Sequence, residues 1–330
     1  MVRIKEFLKL VRWQNLLIVA ATMFLMRYMI CGQIVGLLPY IPESTGKPEV
    51  MLLSLSLLDF LILVLSTVFI TAAGYVINDY FDIRTDLVNR GKVLVGTRIA
   101  RRKAMMWHNI LNITGISGGF YVSYKIGFFW LGIFFMLVSG LLYFYSASYK
   151  RQFLVGNLVV SFLTAMVPFM VVVYEAAAIH LHYYDLAVNM PALSVMFYWV
   201  GGFAVFAFIS TLLREIVKDM EDFEGDKAYG SRSLPVVAGI KISRFVVLSI
   251  AAVLLLMLLF VWYFHLRDSI TLIYILAVLV VPLALSQFYV IRNRSQADLH
   301  RASNWLKILM LGGICYSLVV FYIVKTSTGV

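Results

Sequence analysis

Charge and histidine are both scarce in this 330-residue chain: Asp, Glu, Lys and Arg make up 14% of it, and there are five histidines. A soluble domain averages about a quarter charged and about half apolar, whereas 62% of this chain is hydrophobic. That balance excludes an ordinary soluble domain and points to lipid. The only two cysteines, Cys31 and Cys315, lie in apolar runs. They offer no disulfide framework and no C-x-x-C metal site, and packing is the role expected of both. The one close histidine pair, His180 and His182, reads as an interfacial turn and not as a metal site. No cleavable signal peptide is evident. The net charge of +11 would suit nucleic acid, but the cations sit in short loops between long apolar runs, where they orient a membrane protein.

Apolar length is what the chain does have. Nine segments, approximately 15–36, 51–77, 104–124, 128–147, 153–175, 193–213, 245–265, 269–291 and 304–325, are candidates to cross a hydrocarbon core. Such a crossing takes about 20 mainly apolar residues. With the N-terminus in the cytoplasm, the cytoplasmic segments are 1–14, 78–103, 148–152, 214–244 and 292–303, and they carry 22 Lys and Arg. The external segments carry four, Lys47, Lys125, Arg267 and Lys325, and only Arg27 and Lys307 fall inside spans. This asymmetry satisfies the positive-inside rule and puts the C-terminus outside. The first segment, MVRIKEFLKLVRWQNLL, is basic and amphipathic and is expected along the interface. The expected fold class is all-α, a polytopic transmembrane bundle of nine helices with two aspartate-rich cytoplasmic helix ends or loops. It forms a single domain over 1–330, with pseudo-repeat halves about 15–147 and 153–291 and a final helix 304–325.

The acids are unevenly spread. Of 17 Asp and Glu, nine fall in two stretches, 74–90 (GYVINDYFDIRTDLVNR) and 214–230 (REIVKDMEDFEGDKAYG). Each contains D-x-x-D-x-x-x-D, as Asp79, Asp82, Asp86 and as Asp219, Asp222, Asp226, offset by 140 residues throughout. Each closes an even-numbered span on the cytoplasmic side. Positions i, i+3 and i+7 share one face of a continuous helix, so each triplet aims its carboxylates together. Such a face repels itself unless a cation joins it. Mg²⁺ takes oxygen ligands, usually one or two carboxylates plus substrate phosphates. Two such faces opposite each other would clamp a diphosphate through bridging magnesium ions, with Asn78 adding a neutral oxygen. A solvated acidic surface is the bland alternative, but identical spacing at two span ends in an acid-poor chain argues against it. Ionisable groups at membrane depth are costly and mark function.

Cations lie on the same side: Lys150 and Arg151 in the shortest cytoplasmic loop, Arg214 and Lys218 beside the second triplet, and Arg84 and Arg90 beside the first. Each is a candidate partner for phosphate oxygens as well as a positive-inside anchor. Tyr80, Phe81, Tyr143, Phe144 and Tyr145 bring aromatic faces near the proposed site. Such faces can stabilise a cation, although packing or anchoring is the ordinary role of any one of them.

These residues resemble the UbiA-type intramembrane prenyltransferases. The first cluster reads N-D-x-x-D-x-x-x-D (Asn78 to Asp86) followed by Asn89-Arg90; the second reads K-D-x-E-D-x-E-G-D (Lys218 to Asp226) followed by S-L-P (Ser233 to Pro235). Tyr145-Ser146, Lys150-Arg151 and Gly156-Asn157 resemble the family's Y-S-x-x-L-K-R…G-N segment, and Arg12 with Asn15 resembles the R-P-x-N start of its first helix. The resemblance covers essentially the whole chain. Trp13 stands where the family often has proline, Gly91 to Val95 replaces a proline-rich run, and Tyr149 stands where leucine is common. None of these departures touches a candidate metal ligand.

The resemblance implies nine transmembrane helices and magnesium-dependent transfer of a prenyl group from an allylic diphosphate to a lipophilic acceptor. It implies metal binding by Asn78 and the six aspartates. Asp82, Asp86, Asp222, Asp226 and Lys150 are the residues expected to carry the chemistry. Arg12, Asn15, Arg90, Tyr145, Lys150, Arg151, Asn157, Arg214 and Lys218 are expected to bind substrate. REIVKDMEDFEGD is most similar to members that add a second geranylgeranyl group to geranylgeranylglyceryl phosphate; an aromatic acceptor is the second reading. A cation-coupled transporter is the rival from another class, although the clusters close their spans instead of lying at midplane. The expected location is a prokaryotic cell membrane, with the bilayer as the standing partner and no role for nucleic acid.

Overall fold

The structure, a computed structural model, describes residues 4–90, 93–189 and 191–328. A short helix α1 (Ile4–Leu10) leads into α2 (Trp13–Val35), which passes through a π-helical turn at Met26–Cys31. Strands β1 (Pro39–Pro42) and β2 (Glu49–Val50) follow, then α3 (Leu57–Phe81), α4 (Ile83–Arg90), α5 (Arg101–Lys125), α6 (Phe129–Ala147) and α7 (Val155–Tyr183). Strand β3 (Ala187–Asn189) precedes α8 (Ser194–Glu221), α9 (Phe223–Ala228), α10 (Leu234–Leu266), α11 (Ser269–Arg292) and α12 (Gln296–Thr328). The strands pair antiparallel in the order β2-β1-β3, a small sheet that the all-α expectation lacked.

Local chemistry sets the helix boundaries. The Ser56 hydroxyl caps α3 by accepting from the Asp59 N–H at 3.1 Å, and the Asp268 carboxylate caps α11 by accepting from the Thr271 N–H at 2.7 Å. Arg267, just before that cap, takes a left-handed conformation (φ 58°), so α10 turns into α11 where the sequence marks a tight turn. Helix α7 runs on through His180 and His182, which therefore sit in its last turns and not in a loop.

Eight helices are long and apolar enough to cross a membrane among the described residues: α2, α3, α6, α7, α8, α10, α11 and α12. The expected third span exists as the 25-residue α5, but its composition is too polar to meet that standard. Its polar groups find partners inside the protein. His108 Nδ1 lies 3.0 Å from the Ala73 carbonyl, and Asn112 Oδ1 accepts from the Ser139 hydroxyl at 2.9 Å. Its small residues allow close helix contact, as in other membrane bundles. A Cβ at Gly115 would stand 2.9 Å from the Ser66 carbonyl and 2.7 Å from Ile70 on α3.

The chain divides into two compact units, Met1–Ala147 with Met166–Gly202, and Ser148–Ala165 with Phe203–Val330. In the first, Leu10, Val11, Ala72, Ala73, Val76, Ile99 and Ala104 form a core that ties α1 to α3 and α5. The same unit buries an ion pair. Arg27, 3% exposed in the π-helical turn of α2, donates from Nε to Glu175 on α7, 1% exposed, at 2.9 Å. Glu175 also accepts from the Ser54 and Leu55 N–H groups at 2.7 and 3.0 Å, and Arg27 Nη2 donates to the Leu55 carbonyl. In the second unit, one apolar core joins α8, α10, α11 and α12 through residues such as Leu213, Val217, Val247, Leu254, Leu283 and Leu306.

Candidate functional site

The first aspartate triplet lies at the end of α3. Asp79 accepts from Arg12 Nη2 at 2.8 Å, and the Arg12 guanidinium also stacks on the Tyr75 ring, 4.8 Å from its centre. Burial is the largest influence on the Arg12 pKa and would lower it, but the charges of Asp79, Tyr75 and Asp86 and the hydrogen bond to Asp79 together outweigh it and the value is raised. Asn15 donates to the Tyr75 hydroxyl at 3.2 Å, so the start of α2 is fastened to α3 by two contacts one turn apart. Asp82 is 4% exposed and falls between helices, with φ −87° and ψ 6°. Its N–H donates to the Asn78 carbonyl at 3.0 Å, and the Asp86 N–H donates to the Asp82 carbonyl at 2.8 Å.

The second triplet is built in the same way. Asp222 lies between α8 and α9 with φ −90° and ψ 9°. Its N–H donates to the Lys218 carbonyl at 2.8 Å, and the Asp226 N–H donates to the Asp222 carbonyl at 3.0 Å. Asp219 accepts from Asn157 on α7 at 2.8 Å, and Asp226 accepts from the Ser233 hydroxyl at 3.0 Å. Arg12 and Leu154, three residues before Asn15 and Asn157, both have positive φ, 53° and 55°.

The triplets do not ride on continuous helices: each helix breaks at the middle aspartate. The break places Asp82 and Asp222 in the sparsely populated bridge region of backbone space, where many active-site residues sit. The spacing of the aspartates is equally compatible with an unbroken helix, so it does not by itself reveal the break.

The remaining expected residues are distributed as follows. Lys218 Nζ donates to both Glu215 oxygens at 3.1 and 3.0 Å, and Arg214 Nη1 donates to Glu215 at 3.0 Å. Glu215, 9% exposed, is thus a buried anion that fixes two cations, and the sequence reading passed over it. Its signal was present: an acid three residues before Lys218 and next to Arg214 in an otherwise apolar helix. Tyr145 and Lys150 are half-buried, Arg151 and Arg84 are exposed, and the side chain of Arg90 lies outside the described residues. Tyr80, Phe81, Tyr143 and Phe144 form an edge-to-face series, with ring centres 5.4, 5.8 and 5.9 Å apart in turn.

The Lys150 turn depends on a glycine. A Cβ at Gly156 would stand 2.7 Å from the Lys150 Cα and 2.9 Å from the Tyr149 carbonyl, both backbone atoms that cannot swing away. Gly156→Val is therefore expected to displace Lys150; with Lys150 holding the diphosphate, as the resemblance implies, kcat/KM falls by about tenfold, the effect of losing one well-placed contact of about 1.4 kcal/mol. Steady-state kinetics on the purified variant check this, and an unchanged value would detach Lys150 from catalysis.

No three His, Cys, Asp or Glu side chains among the described residues gather into a ready-made metal cage. The donors present still fit magnesium, which typically takes one or two carboxylates and completes its shell with water and substrate phosphate. Asp82 and Asp222 are the hard oxygen donors that the breaks single out.

The profile described as the UbiA prenyltransferase family matches residues 51–311. The chain belongs to this family. As a UbiA prenyltransferase it is an enzyme that transfers prenyl groups, embedded in a membrane by multiple spans. It is 30% identical over 278 residues to the digeranylgeranylglyceryl phosphate synthase of Thermococcus kodakarensis, covering 83% of this chain and 87% of that protein. It is 32% identical over 265 residues to the enzyme of the same name from Methanothermobacter thermautotrophicus, covering 76% and 82%. Among solved structures, one described as giving insight into digeranylgeranylglyceryl phosphate synthase in membranes superposes with a TM-score of 0.61 at 22% identity, over 96% of this chain and 99% of that one. A UbiA homologue from Archaeoglobus fulgidus bound to GPP and Mg²⁺ superposes with a TM-score of 0.53 at 18% identity, over 96% and 99%.

Proposed function

We propose that this UbiA prenyltransferase transfers a geranylgeranyl group from its diphosphate to geranylgeranylglyceryl phosphate, releasing diphosphate. The observation that carries this reading is the similarity to digeranylgeranylglyceryl phosphate synthases over most of the chain. The second cluster, K-D-x-E-D-x-E-G-D, supports it. In the reaction the bond between prenyl C1 and the diphosphate oxygen breaks. An ether bond forms between C1 and the glycerol hydroxyl oxygen, which loses its proton.

Asn78 and the two triplets are the proposed metal ligands, with Asp82 and Asp222 at the backbone breaks as principal donors. Bound magnesium would neutralise the leaving diphosphate and improve its departure; the family's Archaeoglobus homologue bound to GPP and Mg²⁺ supports magnesium as the metal. Lys150, Arg151 and Lys218 hold oxygens of the diphosphate, and Glu215 fixes Lys218 together with Arg214. Arg12 keeps Asp79 oriented instead of meeting substrate freely, and Asn157 does the same for Asp219. The proposed topology counts α5 as a span, giving nine, with the N-terminus cytoplasmic. The charge asymmetry and the interior partners of His108 and Asn112 support it.

The test is an acceptor screen. Purified enzyme, magnesium and geranylgeranyl diphosphate are offered geranylgeranylglyceryl phosphate, hydroxybenzoate or naphthoate, with product detection by mass. The expected product is the digeranylgeranyl ether of glyceryl phosphate; transfer only to an aromatic acceptor would overturn the reading.

A further inference from the structure

The second unit buries six polar atoms that have no hydrogen-bond partner among the described residues: Thr211 Oγ1, Arg214 Nε, Arg244 Nε, Ser286 Oγ, and both Nε2 and Oε1 of Gln287. They are carried by α8, α10 and α11, three helices that share one apolar core. Arg214 lies three residues from the core residue Val217, and Arg244 three from Val247. Ser286 and Gln287 lie within one turn of both Leu283 and Val290. Residues three or four apart share a helix side, so these side chains ride on or beside the faces their helices turn to the common core.

Helix α8 ends, α10 begins and α11 ends on one side of the unit, because α10 and α11 are joined by a tight turn at their other ends. At 1.5 Å per residue, Arg214 and Gln287 stand roughly 8–11 Å from the ends of α8 and α11, and Arg244 lies five residues after Gly239, where α10 leaves helical geometry (φ 84°). The layer also lies roughly 12 Å along α8 from Asp222.

Buried polar atoms in folded proteins are nearly always partnered by protein, water or ligand. This set is rich in donors: two guanidinium N–H groups, an amide NH₂ and two hydroxyls, against the single acceptor-only oxygen of Gln287. The carboxylate on the same stretch of α8, Glu215, is already shared by Arg214 Nη1 and Lys218. A donor-rich, cationic layer complements an oxyanion, and guanidinium groups match phosphate in particular. The orphaned set contains no carboxylate, which distinguishes it from the magnesium ligands and suits a phosphate that carries no metal.

We propose that Thr211, Arg214, Arg244, Ser286 and Gln287 bind the phosphate group of the acceptor, as a second anion site apart from the aspartates that hold magnesium and diphosphate. This deepens the acceptor reading above and rests on it. It gives the enzyme a way to select a phosphate-bearing glyceryl ether over an uncharged lipid alcohol.

The experiment varies the two substrates separately, using wild type, Arg244→Gln, Gln287→Leu and the conservative Arg244→Lys. The apparent KM for geranylgeranylglyceryl phosphate is expected to rise about tenfold or more in Arg244→Gln and Gln287→Leu, while KM for geranylgeranyl diphosphate stays within about twofold, and Arg244→Lys recovers part of the loss. A readout independent of turnover accompanies it: sn-glycerol 1-phosphate should raise the thermal unfolding midpoint of wild type and leave that of Arg244→Gln unmoved. If wild type uses the phosphate acceptor but the variants keep its KM, this site is wrong and the acceptor reading stands. If wild type uses only aromatic acceptors, both fail. An equal rise in both KM values, or stabilisation that persists in Arg244→Gln, would also overturn the site.

Discussion

Asp82→Ala and Asp222→Ala are each expected to lower kcat/KM by about 10³-fold or more, while the protein remains folded in the membrane. The magnitude follows from the several kcal/mol that a bound metal contributes at a departing oxyanion, about 4 kcal/mol being about 10³-fold. The expectation of intact folding has a structural basis. Both breaks are held by backbone hydrogen bonds, from the Asp82 N–H to Asn78 and from the Asp222 N–H to Lys218, which alanine retains. Alanine also tolerates φ near −90° with ψ near 0°. Steady-state kinetics beside a thermal unfolding scan separate the two effects; turnover within tenfold of wild type in either variant would remove that cluster from the chemistry.

Glu175→Ala is the substitution expected to cost the most stability. It strands Arg27 and the N–H groups of Ser54 and Leu55, all inside the first unit. Removing one partner of a buried ion pair typically costs about 3–5 kcal/mol, because the remaining charge stays desolvated. Arg27→Met should cost less, since the Glu175 carboxylate keeps its two backbone donors, although the Leu55 carbonyl loses its guanidinium. The double variant Arg27→Met with Glu175→Leu removes both charges and should be more stable than Glu175→Ala alone. Denaturant titration in detergent measures all three. Equal stability of Glu175→Ala and wild type would show that the pair contributes nothing to holding residues 51–56 against α2 and α7.

Spacing and charge alone carried the reading a long way. The D-x-x-D-x-x-x-D pairs, their 140-residue offset and the one-sided distribution of Lys and Arg are properties of the string of residues. They point by themselves to a membrane protein with a magnesium and diphosphate clamp, whereas the family and the class of reaction follow from the resemblance of the motifs. Other features depend on partners distant in sequence. Arg27 meets Glu175 across 148 residues and Arg12 meets Asp79 across 67, and neither separation is legible without the fold. Helix α5 looked like a span in a nine-helix pattern, yet its polarity makes sense only once Asn112 and His108 are seen to bond inward. The breaks at Asp82 and Asp222 were hidden for the opposite reason, since a regular helix explains the same spacing. Glu215 is not distinctive among the acids of the sequence, because only the fold shows it shared by Arg214 and Lys218.

In the proposed site both clusters are needed to hold magnesium and the diphosphate. Calorimetric titration of an unreactive geranylgeranyl thiolodiphosphate, with and without magnesium, measures that directly in wild type, Asp82→Ala and Asp222→Ala. The expected result is that magnesium tightens binding to wild type by at least about tenfold, or 1.4 kcal/mol, and that each single variant loses this enhancement. Full magnesium-dependent binding in either variant would contradict the account.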